Sequence, residues 1–232
     1  MKRYIKYFLP SVLLRFSISL IKQYNNIIKL AFDYGQWKSI RNFSSCDASS
    51  VPVPWYTYPA TEYLQHLDLL QFKVHEFGSG NSTLWWSKQV KCITSVEDDK
   101  KWFNLIEGQL NAQYNNINYR FVKDRFAYAS DFSKDTDIFI VDGSYRKECI
   151  EMILKQASFL MIIFDNSDWY PNTIKQIQNS INLVQIDFHG FGPINNYTWT
   201  TSIFLNPLRS QELKYRKTLR SIASLAQVSV ED

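Results

Sequence analysis

The stretch Lys73–Thr83, KVHEFGSGNST, limits what this chain can fold into more than any other. A short apolar run, Val74 to Phe77, stops at Gly78-Ser79-Gly80, and a helix-like segment, Ser82 to Val90, follows at once. Strand, glycine turn and helix in that order suit a nucleotide-type cofactor. Glycines let the backbone approach a ligand, and a helix start offers free N–H groups. The next apolar run, Cys92 to Val96, ends in Glu97, 19 residues after Gly78. A second-strand acid at about that spacing reaches ribose hydroxyls.

The alternation continues in register with this start. A helix is expected over Lys100–Leu110, strand three over Asn118–Val122 (followed by Lys123-Asp124), and strand four over Asp137–Val141 (followed by Asp142-Gly143). Helix Tyr145–Ala157 and strand five, Phe159–Phe164, come next, and that strand closes with Asp165-Asn166. Near-continuous apolar strands such as IFIV and FLMIIF, joined by helices, indicate a parallel sheet buried on both faces. Pro171 sits at a helix N1 position, and Ile174, Ile177 and Ile181 give that helix its face. Strand Leu183–His189, the loop GFGPINNY and strand Thr200–Leu205 leave no room for a crossover helix, so the two strands are antiparallel.

Five βα units closed by an antiparallel hairpin resemble the class I S-adenosylmethionine (SAM) methyltransferases. VHEFGSGNST resembles their first motif. The resemblance implies an α/β Rossmann-like fold with a mostly parallel seven-stranded sheet over about residues 72–205. It implies a SAM site in which Glu76 orders the turn, Gly78, Ser79, Gly80, Ser82 and Thr83 abut the cofactor, Glu97 holds the ribose and Asp124 faces the adenine. Asp142 would border the same crevice. Thr83 stands where a dinucleotide motif has its third glycine, which weakens a rival NAD-dependent reading.

If strands four and five are neighbours about 4.8 Å apart, Asp142, Asp165 and Asn166 project into one crevice. Two carboxylates and an amide oxygen suit Mg²⁺ or Mn²⁺. The pattern resembles metal-dependent O-methyltransferases, which implies catalytic roles for Asp142 and Asp165. Their lysine three residues after the first Asp is Tyr145 here, with Arg146 next. The competing reading makes Asp142 a helix cap and Asp165-Asn166-Ser167 a turn. His189, at the end of strand six, is a further candidate base, whereas His75 reads as core and His66 as exposed.

The function expected is SAM-dependent O-methylation of a small-molecule or glycan hydroxyl. The alternative is a non-catalytic SAM-binding or partner-binding relative. Charge bears on the partner. Of 26 Lys/Arg and 22 Asp/Glu, eight and two fall within residues 1–50, leaving 18 basic and 20 acidic groups elsewhere. A mildly acidic core argues against a nucleic-acid substrate.

Three regions are expected: an N-terminal helical arm with linker (1–54), a SAM-binding domain (55–206) and a basic helical tail (207–232). In the arm, Leu13, Phe16, Leu20, Tyr24, Ile27 and Ala31 recur at helical spacing. Its apolar face has three candidate covers: the protein's own core, a second copy as a homodimer, or a membrane surface. The aromatic stretch Trp55–Tyr58 either covers the crevice or packs the arm against the sheet. Three cysteines without paired or metal-ligand spacing indicate reduced thiols and a cytoplasmic protein, peripheral to a membrane if the arm binds one.

Overall fold

The computed structural model describes residues 11–110, 114–155, 158–180, 182–216 and 220–225. Ala157 and Ile181, which entered the sequence reading, lie outside them. In chain order the elements are α1 (Ser11–Ile28), a π-helical turn (Lys29–Asp33), α2 (Gln36–Asn42), α3 (Tyr58–Gln65), β1 (Leu67–Asp68), β2 (Lys73–Phe77), α4 (Asn81–Ser87), β3 (Cys92–Glu97) and α5 (Lys100–Glu107). They continue with β4 (Ile117–Phe121), α6 (Arg125–Ser130), β5 (Ile138–Val141), α7 (Arg146–Ile153), β6 (Met161–Phe164), α8 (Pro171–Ser180), β7 (Val184–Gly190), β8 (Trp199–Leu205) and β9 (Lys214–Tyr215).

Seven strands form one sheet in the order β4-β3-β2-β5-β6-β8-β7. All pair in parallel except β8, which runs antiparallel to both β6 and β7. The expected neighbours are present: β2 pairs with β5 from Val74↔Ile138 to Phe77↔Val141, and β5 with β6 from Ile138↔Met161 to Val141↔Phe164. That register carries Asp142 and Asp165 to the same sheet edge.

Side-chain alternation divides the core in two. Ile138, Ile140, Met161 and Ile163 face one side, where Trp86, Tyr56 and Leu64 cover them. Phe139, Val141, Ile162 and Phe164 face the other, under Tyr128, Ile150 and Ile177. His75 falls on the second face and is buried among the rings of Phe77, Phe132 and Phe139. Local chemistry sets the helix starts. Asp99 accepts from the Lys101 and Trp102 amides to open α5, and Pro171 opens α8.

Two expectations fail. Among the described residues the tail is not helical. It forms a 3₁₀ turn at Ser210–Glu212 and then β9, which pairs antiparallel with β1. Arg209, read as a solvated cation, instead donates to Asp137 (2.7 Å) and Glu212. The arm departs differently. The helix forms as expected, but from Leu13 to Ile27 each residue is exposed or half-exposed, so its apolar face does not pack on the protein's own core.

Candidate active site at the carboxyl edge of the sheet

The site begins with Glu76, fully buried at the end of β2. Its carboxylate accepts from the hydroxyls of Ser82, Thr83 and Ser95. The Thr83 hydroxyl in turn accepts from the Gly80 amide at 3.1 Å. The acid therefore ties strand, turn and helix start together, the ordering role expected of it. Burial pushes it up to about 7, against the pull of its three donors. Gly78 has φ +90°, and a Cβ there would lie 2.5 Å from the Cα of Gly143. The two strand-end loops thus interlock through their glycines.

Glu97 has turned towards this loop. One of its carboxylate oxygens accepts from the Ser79 amide (3.0 Å) and hydroxyl (2.9 Å), the other from the amides of Asp98 and Asp99. The ribose-binding acid of the sequence reading closes the glycine turn here. Trp102 seals the arrangement from outside by donating to the Ser79 carbonyl. Asp124 stands apart, capping α6 through the Ala127 amide, with no place in the clefts described below.

Beyond the turn lie two adjoining clefts that share Ser79, Trp55, Trp102 and Asp142. One, of about 400 Å³, is lined by Gly80, Asn81, Ser82 and Phe43. A Cβ on Gly80 would meet no atom nearer than 3.9 Å, so the backbone there is open to a ligand. The other, of about 390 Å³, is lined by Asp165, Asn166, Trp169, Asn195 and Tyr197. Trp55 stands between them with its ring against Phe43 and borders the crevice, whereas Tyr56 and Tyr58 of the same stretch are buried in packing.

Asp142, Asp165 and Asn166 do converge, but on a guanidinium. Arg146 donates to the Gly143 carbonyl (2.9 Å), the Asp142 carbonyl (2.7 Å) and carboxylate (3.2 Å), the Asp165 carbonyl (2.5 Å) and the Asn166 side-chain oxygen (3.1 Å). Its plane also lies against Tyr170. The Asp165 carboxylate points the other way and accepts from Trp199 Nε1 (3.0 Å) and the Thr201 hydroxyl. This donor set does not fit a divalent ion. A fixed cation already occupies one carboxylate oxygen of Asp142 and the Asn166 side-chain oxygen, and the Asp165 carboxylate is held by neutral donors. Among the described residues no three His, Cys, Asp or Glu side chains gather as metal ligands. The oxygens expected to hold Mg²⁺ or Mn²⁺ thus converge on an arginine clamp, and nothing among the described residues supports the metal site. Asp142 is not the cap of α7 either, since the capping position belongs to Tyr145.

The two acids differ electrostatically. Asp142 is half-buried and faces both clefts; burial pushes it up to about 6 while Arg146 pulls it down. Asp165 is buried and held well above the carboxylate range, by burial first and then by the charge of Asp142. Tyr145 and Asn166 flank the clamp with φ of +52° and +50°, unusual for non-glycine residues and concentrated at this edge. His189 lines neither of the two clefts and pairs with the Thr200 hydroxyl at 2.8 Å. The spacing of Arg146 four residues after Asp142 was a readable signal for the clamp. Nothing local foretold Trp102, Trp199 or Asn195.

The strand order, with β8 alone reversed between β6 and β7, settles the architecture. The fold is that of the class I methyltransferases. No family model and no curated protein matches the sequence. Solved structures similar in fold include an rRNA methylase from Streptococcus thermophilus, with 15% identity, TM-score 0.44, and coverage of 62% of this chain and 91% of that one. A precorrin-6y C5,15-methyltransferase from Geobacter metallireducens has 12% identity, TM-score 0.46, and coverage of 62% and 88%. TYW2 of M. jannaschii, solved with AdoMet, has 11% identity, TM-score 0.47, and coverage of 69% and 79%. Likeness at this level concerns the class I methyltransferase fold alone and says nothing of substrate or activity.

Proposed function

We propose that the chain is a SAM-dependent methyltransferase acting on a hydroxyl of a small molecule or glycan. The observation that carries the reading is the pair of clefts sharing Asp142, one beside the glycine turn and one among aromatic rings and amides. Each is large enough for a small ligand. Ser79, Gly80, Asn81 and Ser82 would hold SAM, which when bound supplies an electrophilic methyl group. Trp169, Tyr197, Trp55 and Asn195 offer flat apolar faces and an amide, a lining suited to a sugar or planar ring carrying hydroxyls.

Asp142 would take the hydroxyl proton as the oxygen gains the methyl group. An acid poised near 6 is ionised at neutral pH yet basic enough to assist. Arg146 fixes Asp142 through its carbonyl and one carboxylate oxygen, and the shared aromatic walls limit water. A second reading, binding without turnover, is favoured by Glu97. A ribose would have to displace Ser79 to reach it.

Thermal melting tests the cofactor. At ligand about 100-fold above its Kd, linkage gives about 2.7 kcal/mol, a rise on the order of 5–10 °C for a chain of this size. SAM and S-adenosylhomocysteine should both produce it and NAD should not. No shift with either SAM species would sink the assignment. A radiolabelled-methyl screen over hydroxyl acceptors separates the two readings. Transfer that persists in EDTA and disappears in Asp142→Asn, with the SAM shift retained, is the expected result.

A further inference from the structure

Helix α1 is amphipathic, and among the described residues none covers its apolar face. Phe16, Leu20, Tyr24 and Ile27 lie along one side and are 54–64% exposed. Arg15 and Lys22, seven residues apart, are exposed on the opposite side, and Lys29 follows in the π-helical turn, half-buried and donating to the Ala223 carbonyl (2.7 Å). Lys2, Arg3 and Lys6 precede them, and the first acidic residue of the chain is Asp33. Exposed apolar residues continue beyond the helix at Phe32, Trp37, Ile40 and Phe43, the last of which lines the cleft beside the glycine turn.

We infer that α1 lies flat on an anionic lipid surface, with its apolar face among the acyl chains and its basic stripe at the headgroups. Three observations select this occupant. Six cations and no anion within residues 1–32 complement a negative surface. A second copy of the arm would offer the stripe no countercharge, because no acid precedes Asp33. No helix among the described residues is long and apolar enough to cross a membrane, so the orientation left to an apolar-faced basic helix is along the interface. Tyr24 and Trp37, amphipathic rings at either end of the turn leading to α2, are of the type that sits at headgroup level.

The test uses the full chain with vesicles of phosphatidylcholine alone or mixed with phosphatidylglycerol. Sedimentation should occur with the anionic vesicles and weaken as salt rises. The double variant Arg15→Glu/Lys22→Glu should lower partitioning about 800-fold, at roughly 1 kcal/mol for each of the two charges removed and again for each reversed. Phe16→Glu/Leu20→Glu should abolish it, and neither pair should move the melting temperature. Analytical ultracentrifugation without lipid gives the opposing outcome. A dimer dissolved by Phe16→Glu/Leu20→Glu, with no vesicle binding, would assign the face to a second copy and overturn the inference. So would no binding to either vesicle, equal binding to both, or binding that both double variants retain.

Discussion

Replacing Arg146 with Met tests the clamp most directly. The side chain is 11% exposed and makes five hydrogen bonds to two strand ends. Met keeps much of the stem's packing but leaves three carbonyls, an amide oxygen and the Asp142 carboxylate without their shared donor. Breaking a buried charge pair while its partner stays in place costs about 3–5 kcal/mol. For a chain of this size that is a fall in melting temperature of roughly 6–20 °C. Arg146→Lys keeps the charge without the planar fork and should recover only part of it. The same change should raise the Asp142 acid above about 6, since Arg146 is the group that pulls it down against burial. Circular-dichroism melts of both variants, with and without Mg²⁺, supply the measurement. A loss within experimental error in Arg146→Met would refute the clamp. A wild-type melting shift with Mg²⁺ that disappears in Asp142→Asn would restore the metal reading.

Three further outcomes are expected. Glu76 is raised from 4.5 to about 7, so its contribution to stability is fully present below pH 4.5 and is lost as pH rises through 7. The stability difference between wild type and Glu76→Gln should therefore change by about 3 kcal/mol across that window in urea titrations, and a flat difference would contradict it. His75 behaves oppositely. Burial holds it down at about 3, so stability present above pH 6.5 is lost as pH falls towards 3; because its Nε2 has no hydrogen-bond partner among the described residues, His75→Phe should add about 1–3 kcal/mol at neutral pH and remove that acid lability. Gly192→Ala would place a Cβ 2.2 Å from the Trp199 ring and 2.6 Å from the Tyr56 carbonyl, so denaturation monitored by tryptophan fluorescence should show a loss of about 1–3 kcal/mol.

What the sequence made legible was local or periodic. The runs IFIV and FLMIIF read as doubly buried strands, and the loop GFGPINNY was too short for a crossover, so a mostly parallel sheet closed by an antiparallel pair followed, but not which of the pair is reversed. The role of Glu76 came from the resemblance of its motif; Ser82 and Thr83 lie just across the glycine turn, but Ser95, 19 residues on, was not foreseen. Glu97 marks where that reach ends. Spacing put it at the correct strand end, but whether its oxygens stay open depends on how Ser79 turns back across 18 residues. Arg146 joins two strand ends that only the folded sheet brings together, so the same three oxygens read as metal ligands until the guanidinium is placed among them. The tail failed on length. Two-residue strands such as β1 and β9 carry no periodicity, and a cation that pairs with Asp137 72 residues away looks like a solvated one.

Because β8 is the last strand of the main sheet to be synthesised and yet lies inside it, the order of translation matters. Until β8 arrives, β6 is an edge, and all four of its residues, MIIF, are of the kind that recruits foreign strands. Roughly 40 residues separate Phe164 from Leu205, which at about 5–20 residues per second leaves that edge unpaired for roughly 2–8 s on each ribosome. A nascent chain stalled or truncated before Trp199 would hold five correctly ordered parallel strands and an open adhesive seam. Chaperone demand should therefore peak late in synthesis, and C-terminal deletions that reach β8 should yield aggregates rather than a smaller soluble domain.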